Sequence, residues 1–140
     1  MELNRRTLLE TMAGVLAAST MLRAAEVQSV LLDPQQAPSQ THAFGTQRIY
    51  CDGSTAGLKS LVIGSLILNA GAQPHPPHTH PDEEILLVTE GTGQITMNGK
   101  PSDVGPGSLM YVTPNYVHGI VNTGGSPLTF YFIKWIAKSA

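Results

Sequence analysis

The chain predicts an all-β fold, a single small β-barrel or jelly roll, preceded by a signal segment and a flexible tail. Three observations carry this expectation. Fourteen glycines and ten prolines in 140 residues punctuate the sequence as the many turns of an all-β protein do. From Gln47 onward, about eight short strand-like runs follow one another between turn signals, the spacing of a small barrel or jelly roll. No convincing helix interrupts them. The length holds one domain with a core of ordinary size, and no internal repeat suggests a second barrel.

The amino terminus is of a different kind. Asn4-Arg5-Arg6-Thr7-Leu8-Leu9 sets paired arginines before apolar residues, and Met12 to Leu22 is an alanine-rich apolar stretch followed by Arg23-Ala24-Ala25. That stretch is too short for a permanent membrane span. A charged start, a short apolar run and small residues after it are the parts of a secretory signal, and the arginine pair resembles a twin-arginine export signal. The competing reading, an amphipathic helix of the mature fold, fits poorly because the segment is apolar nearly all round. Residues 1–25 are therefore expected to be removed and the protein exported, to the periplasm or beyond. Five basic and eight acidic residues would remain, for a net charge of −3.

Residues 26–46 read as a linker or edge-strand tail. Val27 to Leu32 is apolar enough to pair at a sheet edge, whereas Asp33 to Gln40 is polar and proline-rich. His42 lies far from the other histidines and reads as a solvated residue. Cys51 is the only cysteine, so no internal disulfide forms and an inert buried thiol is its expected role.

The barrel is expected over residues 47–138. Gln47 to Cys51 opens it, and Leu58 to Leu68 is a long run in which Gly64 reads as a bend or bulge. Glu84 to Glu90 and Gln94 to Asn98 flank Gly91-Thr92-Gly93, read as a three-residue hairpin turn. Asn98-Gly99 is a second hairpin signal, of the type with positive φ at both central residues. Lys100 to Val104, Ser108 to Val112, His118 to Asn122 and Leu128 to Ile136 complete the series. Phe130 to Trp135 reads as a strand with alternate rings packed inward. Without a basic surface it is not expected to stack nucleic-acid bases.

Chemistry concentrates between Gly71 and Gly91. Three of the five histidines, His75, His78 and His80, stand there, followed by Asp82-Glu83-Glu84. In an extended segment His78 and His80 leave the same face of the backbone. Imidazole nitrogens and a carboxylate suit a divalent first-row metal such as manganese, iron, nickel or zinc. The plain alternative is a polar loop that coordinates nothing.

A second stretch, Gly107 to Asn122, argues against that alternative. Gly71, His78, His80, Glu84 and Gly91, with Gly107, His118 and Asn122 downstream, resemble the two motifs of the cupin superfamily in its small, single-domain form. The first spacer is one residue longer than usual, Thr113 stands in the proline slot with Pro114 just after, and Asn115 stands in the glycine slot. Asparagine tolerates a left-handed conformation, so the turn is expected to survive.

The resemblance implies a cupin barrel with one divalent metal per chain, held by His78, His80, Glu84 and His118. Strand alternation then turns Leu86 and Val88 inward with Glu84, and Ile120 and Asn122 inward with His118. That makes a largely apolar cavity with one amide nearby. His75, ahead of Pro76-Pro77, is either a base at the pocket mouth or a surface residue, the second being preferred. Asp82 and Glu83 read as a solvated turn.

Three imidazoles and one carboxylate leave positions of an octahedral ion open. The function expected is therefore a metal-dependent enzyme of oxygenase (dioxygenase-like), isomerase or lyase type, with no general acid or base assigned. The alternatives are a non-catalytic exported module that binds a metal or ligand, and a structural metal in an oligomerisation unit. The basic residues left after residue 25, Arg48, Lys59, Lys100, Lys134 and Lys138, all lie outside the two motifs. Arg48 is the one guanidinium that a barrel strand could deliver to the pocket. A phosphorylated or polycarboxylate substrate would want such a partner, so the expected ligand is small and neutral or singly anionic. The weak charge gives no reason to expect nucleic acid or a permanent membrane span; a homodimer is the assembly to test for.

Overall fold

The computed structural model of the chain describes residues 25–139. The expected signal segment, apart from Ala25, lies outside the described residues. Nine strands follow: β1 (Ser39–His42), β2 (Gly45–Gly53), β3 (Leu58–Leu68), β4 (Glu83–Glu90), β5 (Gly93–Met97), β6 (Lys100–Val104), β7 (Leu109–Val112), β8 (His118–Val121) and β9 (Leu128–Ala137). They form a six-stranded sheet, ordered β1-β2-β3-β9-β4-β7, and a three-stranded sheet, ordered β6-β5-β8. All their pairings are antiparallel. No described helix is long and apolar enough to cross a membrane.

Period-two alternation builds the core. Leu66 and Leu68 of β3, Leu86 and Val88 of β4, and Leu128, Phe130 and Phe132 of β9 are buried from the large sheet. Ile95 and Ile120 join the same cluster from the small one. Two antiparallel sheets closing on one shared core are the jelly-roll solution to burying a one-sided apolar sheet.

The edge strand falls on Ser39–His42, not on Val27–Leu32. The apolar run forms no strand: an isolated bridge joins Glu26, just before it, to Ser54, Val27 N–H donates to the Ser54 carbonyl at 2.8 Å, and Leu31 is 95% exposed. The Asp33 carboxylate accepts the backbone N–H groups of Gln35 and Gln36 at 2.8 and 3.1 Å, a turn that separates the run from the sheet edge. Past this turn, β1 forms a tight hairpin with β2, His42 facing Gly45. His42 is half-buried and stacks on Phe44 with ring centroids 4.8 Å apart, so it is not the solvated residue its polar surroundings in sequence suggest. Cys51 is half-buried and unpaired.

Two glycines do other work than expected. Gly91-Thr92-Gly93 is not a hairpin turn, because β4 and β5 belong to different sheets. The segment carries the chain from one sheet to the other. A side chain at Gly91, where φ is 76°, would meet the Pro127 carbonyl oxygen at 2.4 Å, so it is close passage of the chain ahead of β9 that calls for glycine. Gly64 is no bulge; it pairs in register with Ile49 and Phe132, and the irregularity lies in β2 between Ile49 and Cys51. A Cβ at Gly64 would stand 2.3 Å from Phe132 Cζ and 2.7 Å from the Arg48 carbonyl oxygen, so the missing side chain makes room for the Phe132 ring. Asn98-Gly99 does join β5 to β6 with φ of 47° and 79°, as its sequence requires.

Gly64→Ala is expected to destabilise the fold by about 1–3 kcal/mol, the cost of overpacking. Gly57→Ala, whose Cβ would meet nothing within 4 Å, is expected to stay within about 0.5 kcal/mol of wild type. Urea unfolding of the two variants checks the contrast.

Candidate metal centre

The site begins with backbone. His78, in the loop between β3 and β4, donates its N–H to the His118 carbonyl at 2.9 Å and accepts the His118 N–H at 3.0 Å. This isolated antiparallel bridge sets two directly opposed residues side by side, which points both side chains to one face. Their ring centroids are 5.0 Å apart. The His80 carbonyl accepts the N–H of Asn115 at 2.8 Å, and Asn115 adopts φ of 62°. The asparagine in the glycine slot thus takes the left-handed conformation anticipated for it. Glu84 enters from β4, where it opposes Val112 of β7 and Lys134 of β9.

These elements bring one nitrogen each from His78, His80 and His118 within 4.8 Å of one another. Glu84 Oε2 stands 2.9 Å from both His80 Nε2 and His118 Nε2. Glu84 and His118 are 8% and 4% exposed, so their polar atoms must be satisfied inside the protein. Burial by itself would raise the Glu84 pKa, but hydrogen bonds from His118 and His80 outweigh it and hold the carboxyl below its ordinary value. The bond to Glu84 raises His118, against its burial, with help from the Tyr116 carbonyl. His78 is lowered to about 4, first by burial and then by the neighbouring imidazoles His75, His118 and His80. At neutral pH this gives one carboxylate and a neutral His78 ring with a free lone pair.

The donor set fits a divalent first-row metal, and the groups behind it fit as well. His118 Nδ1–H donates to the Tyr116 carbonyl at 2.8 Å, which leaves Nε2 for the centre of the cluster, the usual arrangement behind a ligating imidazole. His80 Nδ1 is buried without a hydrogen-bond partner. The Asp82 carboxylate stands 3.5 Å from it, a slightly long version of the carboxylate–imidazole contact that orients such ligands. Asp82 is thus not part of a solvated turn. Glu83 takes the phenol of Tyr111 at 2.7 Å, on the opposite face of β4 from Glu84. His75 is not an isolated surface residue either: its Nδ1 lies 2.6 Å from His78 Nδ1, and its ring stands at the cavity mouth.

A cavity of about 290 Å³ opens onto His75, His78, His80 and Glu84, walled by Phe44, Leu66, Phe130 and Phe132. Leu86 and Ile120 line a smaller adjoining recess beside His118. Val88 and Asn122 are fully buried and line neither. Asn122 donates its amide to the Leu68, Asn69 and Ser126 carbonyls and accepts the Gly124 N–H. It pins a loop instead of offering an amide to a ligand. Lys134 does line the cavity, although it lies outside both motifs. The alternation that turns Phe130 and Phe132 inward carries Lys134 with them, and this was the available signal. Arg48 sits between the cavity residues Gln47 and Ile49 and so faces away.

Fold and site together are those of a cupin. Residues 64–134, half of the chain, match the family described as Cupin domain, and the chain belongs to the cupin family. It is 31% identical over 74 residues to the dimethylsulfoniopropionate lyase DddW of Ruegeria pomeroyi, covering 53% of this chain and 48% of that protein. Over 59 residues it is 34% identical to the HTH-type transcriptional activator RhaS of Mannheimia succiniciproducens, covering 42% of this chain and 22% of the activator. The chain thus spans about half the length of one curated relative and less of the other. Among solved structures, the polyketide cyclase RemF of Streptomyces resistomycificus superposes with a TM-score of 0.63 at 19% identity, over 77% of this chain and 80% of its own. That likeness is one of fold.

If Asp82 orients His80 toward a metal, Asp82→Ala is expected to weaken zinc binding about ten-fold, whereas Glu83→Ala leaves it unchanged. Competition titration against a chromophoric chelator measures both.

Proposed function

We propose that this chain is a metal-dependent enzyme acting on a small organic molecule with at most one negative charge. His78, His80, Glu84 and His118 hold one divalent metal, drawn from manganese, iron, nickel and zinc. The observation that carries this reading is the opening of the imidazole–carboxylate cluster into a cavity of about 290 Å³. A sealed cluster would suit a structural ion; an open one beside apolar walls suits a ligand site. When bound, the metal supplies Lewis acidity toward an oxygen-bearing group. The protein's own share is to bind and shield. Phe44, Phe130 and Phe132 cover an apolar body and exclude water, while the His75 ring stands against His78, Nδ1 to Nδ1, beside the cavity.

Of oxygenase, isomerase and lyase chemistry, the likeness to the dimethylsulfoniopropionate lyase supports the lyase. The test is metal-loaded protein against dimethylsulfoniopropionate and a panel of hydroxy acids, keto acids, phenolics and phosphosugars, followed by proton NMR. The second reading, a non-catalytic binding module, takes its support from the likeness to RhaS. Saturable binding of a panel member without turnover would establish it in place of the first.

Elemental analysis of His78→Ala with His118→Ala is expected to show metal falling from about one equivalent to a small fraction of it, with the fold intact by circular dichroism. Stoichiometric metal in that double variant would remove the assignment. We further propose export by a twin-arginine route, supported by Arg5-Arg6 ahead of the apolar stretch. Replacing both arginines with lysine is expected to hold the precursor in the cytoplasm, as fractionation and immunoblotting would show.

A further inference from the structure

Lys134 lines the cavity and, among the described residues, forms no ion pair. It lies on β9 directly across from Glu84 on β4 and Val62 on β3. Directly opposed residues share a face of the sheet, with Cβ atoms about 5 Å apart. The lysine therefore stands beside the cluster, and it lines the same cavity as His78, His80 and Glu84. It is half-buried. Among the described residues no carboxylate lies within 4.0 Å of its ammonium, and the ion pairs of Glu84 run to His80 and His118 instead. The Lys134 charge is felt at His118, where it works against protonation of the imidazole.

The other cations among the described residues are elsewhere. Arg48 faces away from the cavity, Lys59 and Lys100 are exposed, and Lys138 donates to the Ala56 carbonyl at 3.2 Å. One cation with apolar neighbours Val62, Leu66, Phe130 and Phe132 is a site for one anionic group on an otherwise apolar body. An ammonium is a single point charge and does not offer the two-pronged geometry an arginine would give a phosphate.

We propose that Lys134 is the carboxylate-binding, specificity-determining residue of this cavity, and that the ligand is a short monocarboxylate. Its carboxylate meets Lys134, its second polar group faces the His78–His80–Glu84–His118 cluster, and its carbon chain lies on the phenylalanines. This rests on the reading of the cavity as a substrate site beside a metal, and it narrows that reading from neutral or singly anionic ligands to singly anionic ones.

The test uses ligands that differ only in charge. Calorimetry of the zinc-loaded protein compares 2-hydroxybutanoate with 2-hydroxybutanamide, and a glycerol phosphate serves as the dianionic control. Wild type is expected to bind the carboxylate at least ten-fold more tightly than the amide, and more tightly than the phosphate ester. Lys134→Met is expected to erase the preference, and Lys134→Arg to keep most of it. Zinc content and thermal midpoint, measured for all three proteins, should be unchanged. Several outcomes overturn the proposal: the preference surviving in Lys134→Met, wild type binding amide and carboxylate alike or neither, or the phosphate ester binding best. Failure of the metal reading would show separately, as wild-type protein that takes up no zinc. The same comparison on metal-free protein then still decides whether Lys134 reads charge.

Discussion

Two backbone hydrogen bonds between His78 and His118, 2.9 and 3.0 Å long, hold the site together. His118 begins β8 in the small sheet, whereas His78 belongs to a loop running toward β4 of the large one. Without the bridge, His78 and His80 would hang on a free segment and their rings would sample many positions. With it, that segment becomes a local extension of the small sheet. Pro76-Pro77 just before the bridge lowers the entropy lost on fixing the loop, because its backbone is already restricted. The Asn115 N–H to the His80 carbonyl makes a second tie. Glu84 then approaches from the large sheet, so the cluster forms where the two sheets meet and its geometry depends on both.

This placement sets the electrostatics. Glu84 is buried, which taken alone would favour its neutral form, yet two imidazoles hydrogen-bond its Oε2 and keep it ionised. The same contact raises His118, while His78 is pushed toward neutrality by burial and by its fellow histidines. The three rings are therefore unequal. His118 and His80 both set Nε2 on Glu84, His78 has a lone pair to give, and His80 Nδ1 lacks a hydrogen-bond partner, with Asp82 3.5 Å away.

What could be read in advance divides along physical lines. Motif spacing pointed to His78, His80, Glu84 and His118, and the fold gathers these four side chains into one cluster. Alternation placed Leu86, Ile120, Phe130 and Phe132 correctly, since a strand turns successive side chains to opposite faces. Asn98-Gly99 was legible because its turn is a purely local matter of φ. Gly91-Thr92-Gly93 was not, for the demand on Gly91 comes from Pro127, far along the chain. Asp82 was missed, and His75 left between two readings, for a like reason: a polar loop residue looks the same in sequence whether it faces water or an imidazole. Asn122 occupied a motif position and pointed inward, but its amide serves backbone carbonyls. Lys134 is the instructive miss. Carrying alternation two residues past Phe132 would have placed it in the cavity; attention to the motifs alone could not.

The large sheet presents the cavity as successive rungs of opposed residues. One rung runs Glu84, Lys134, Val62, Asp52; the next Leu86, Phe132, Gly64, Ile49; the third Val88, Phe130, Leu66, Gln47. Charge is confined to the first rung and to the histidines beside it, and the other two are almost wholly apolar. Gly64 matters here because Phe132 lies over it, where any side chain would push the ring outward. The depth of the apolar part is therefore set by an absent side chain, and the polar end by two opposite charges on adjacent strands that do not pair with each other. Glu84 is committed to imidazoles, and exposed Asp52 at the far end of the rung does not line the cavity, which leaves Lys134 the one charged group of the cavity wall, among the described residues, without an ion-pair partner. A ligand that met it would have to be charged at one end and apolar along its body, because the rungs offer nothing else.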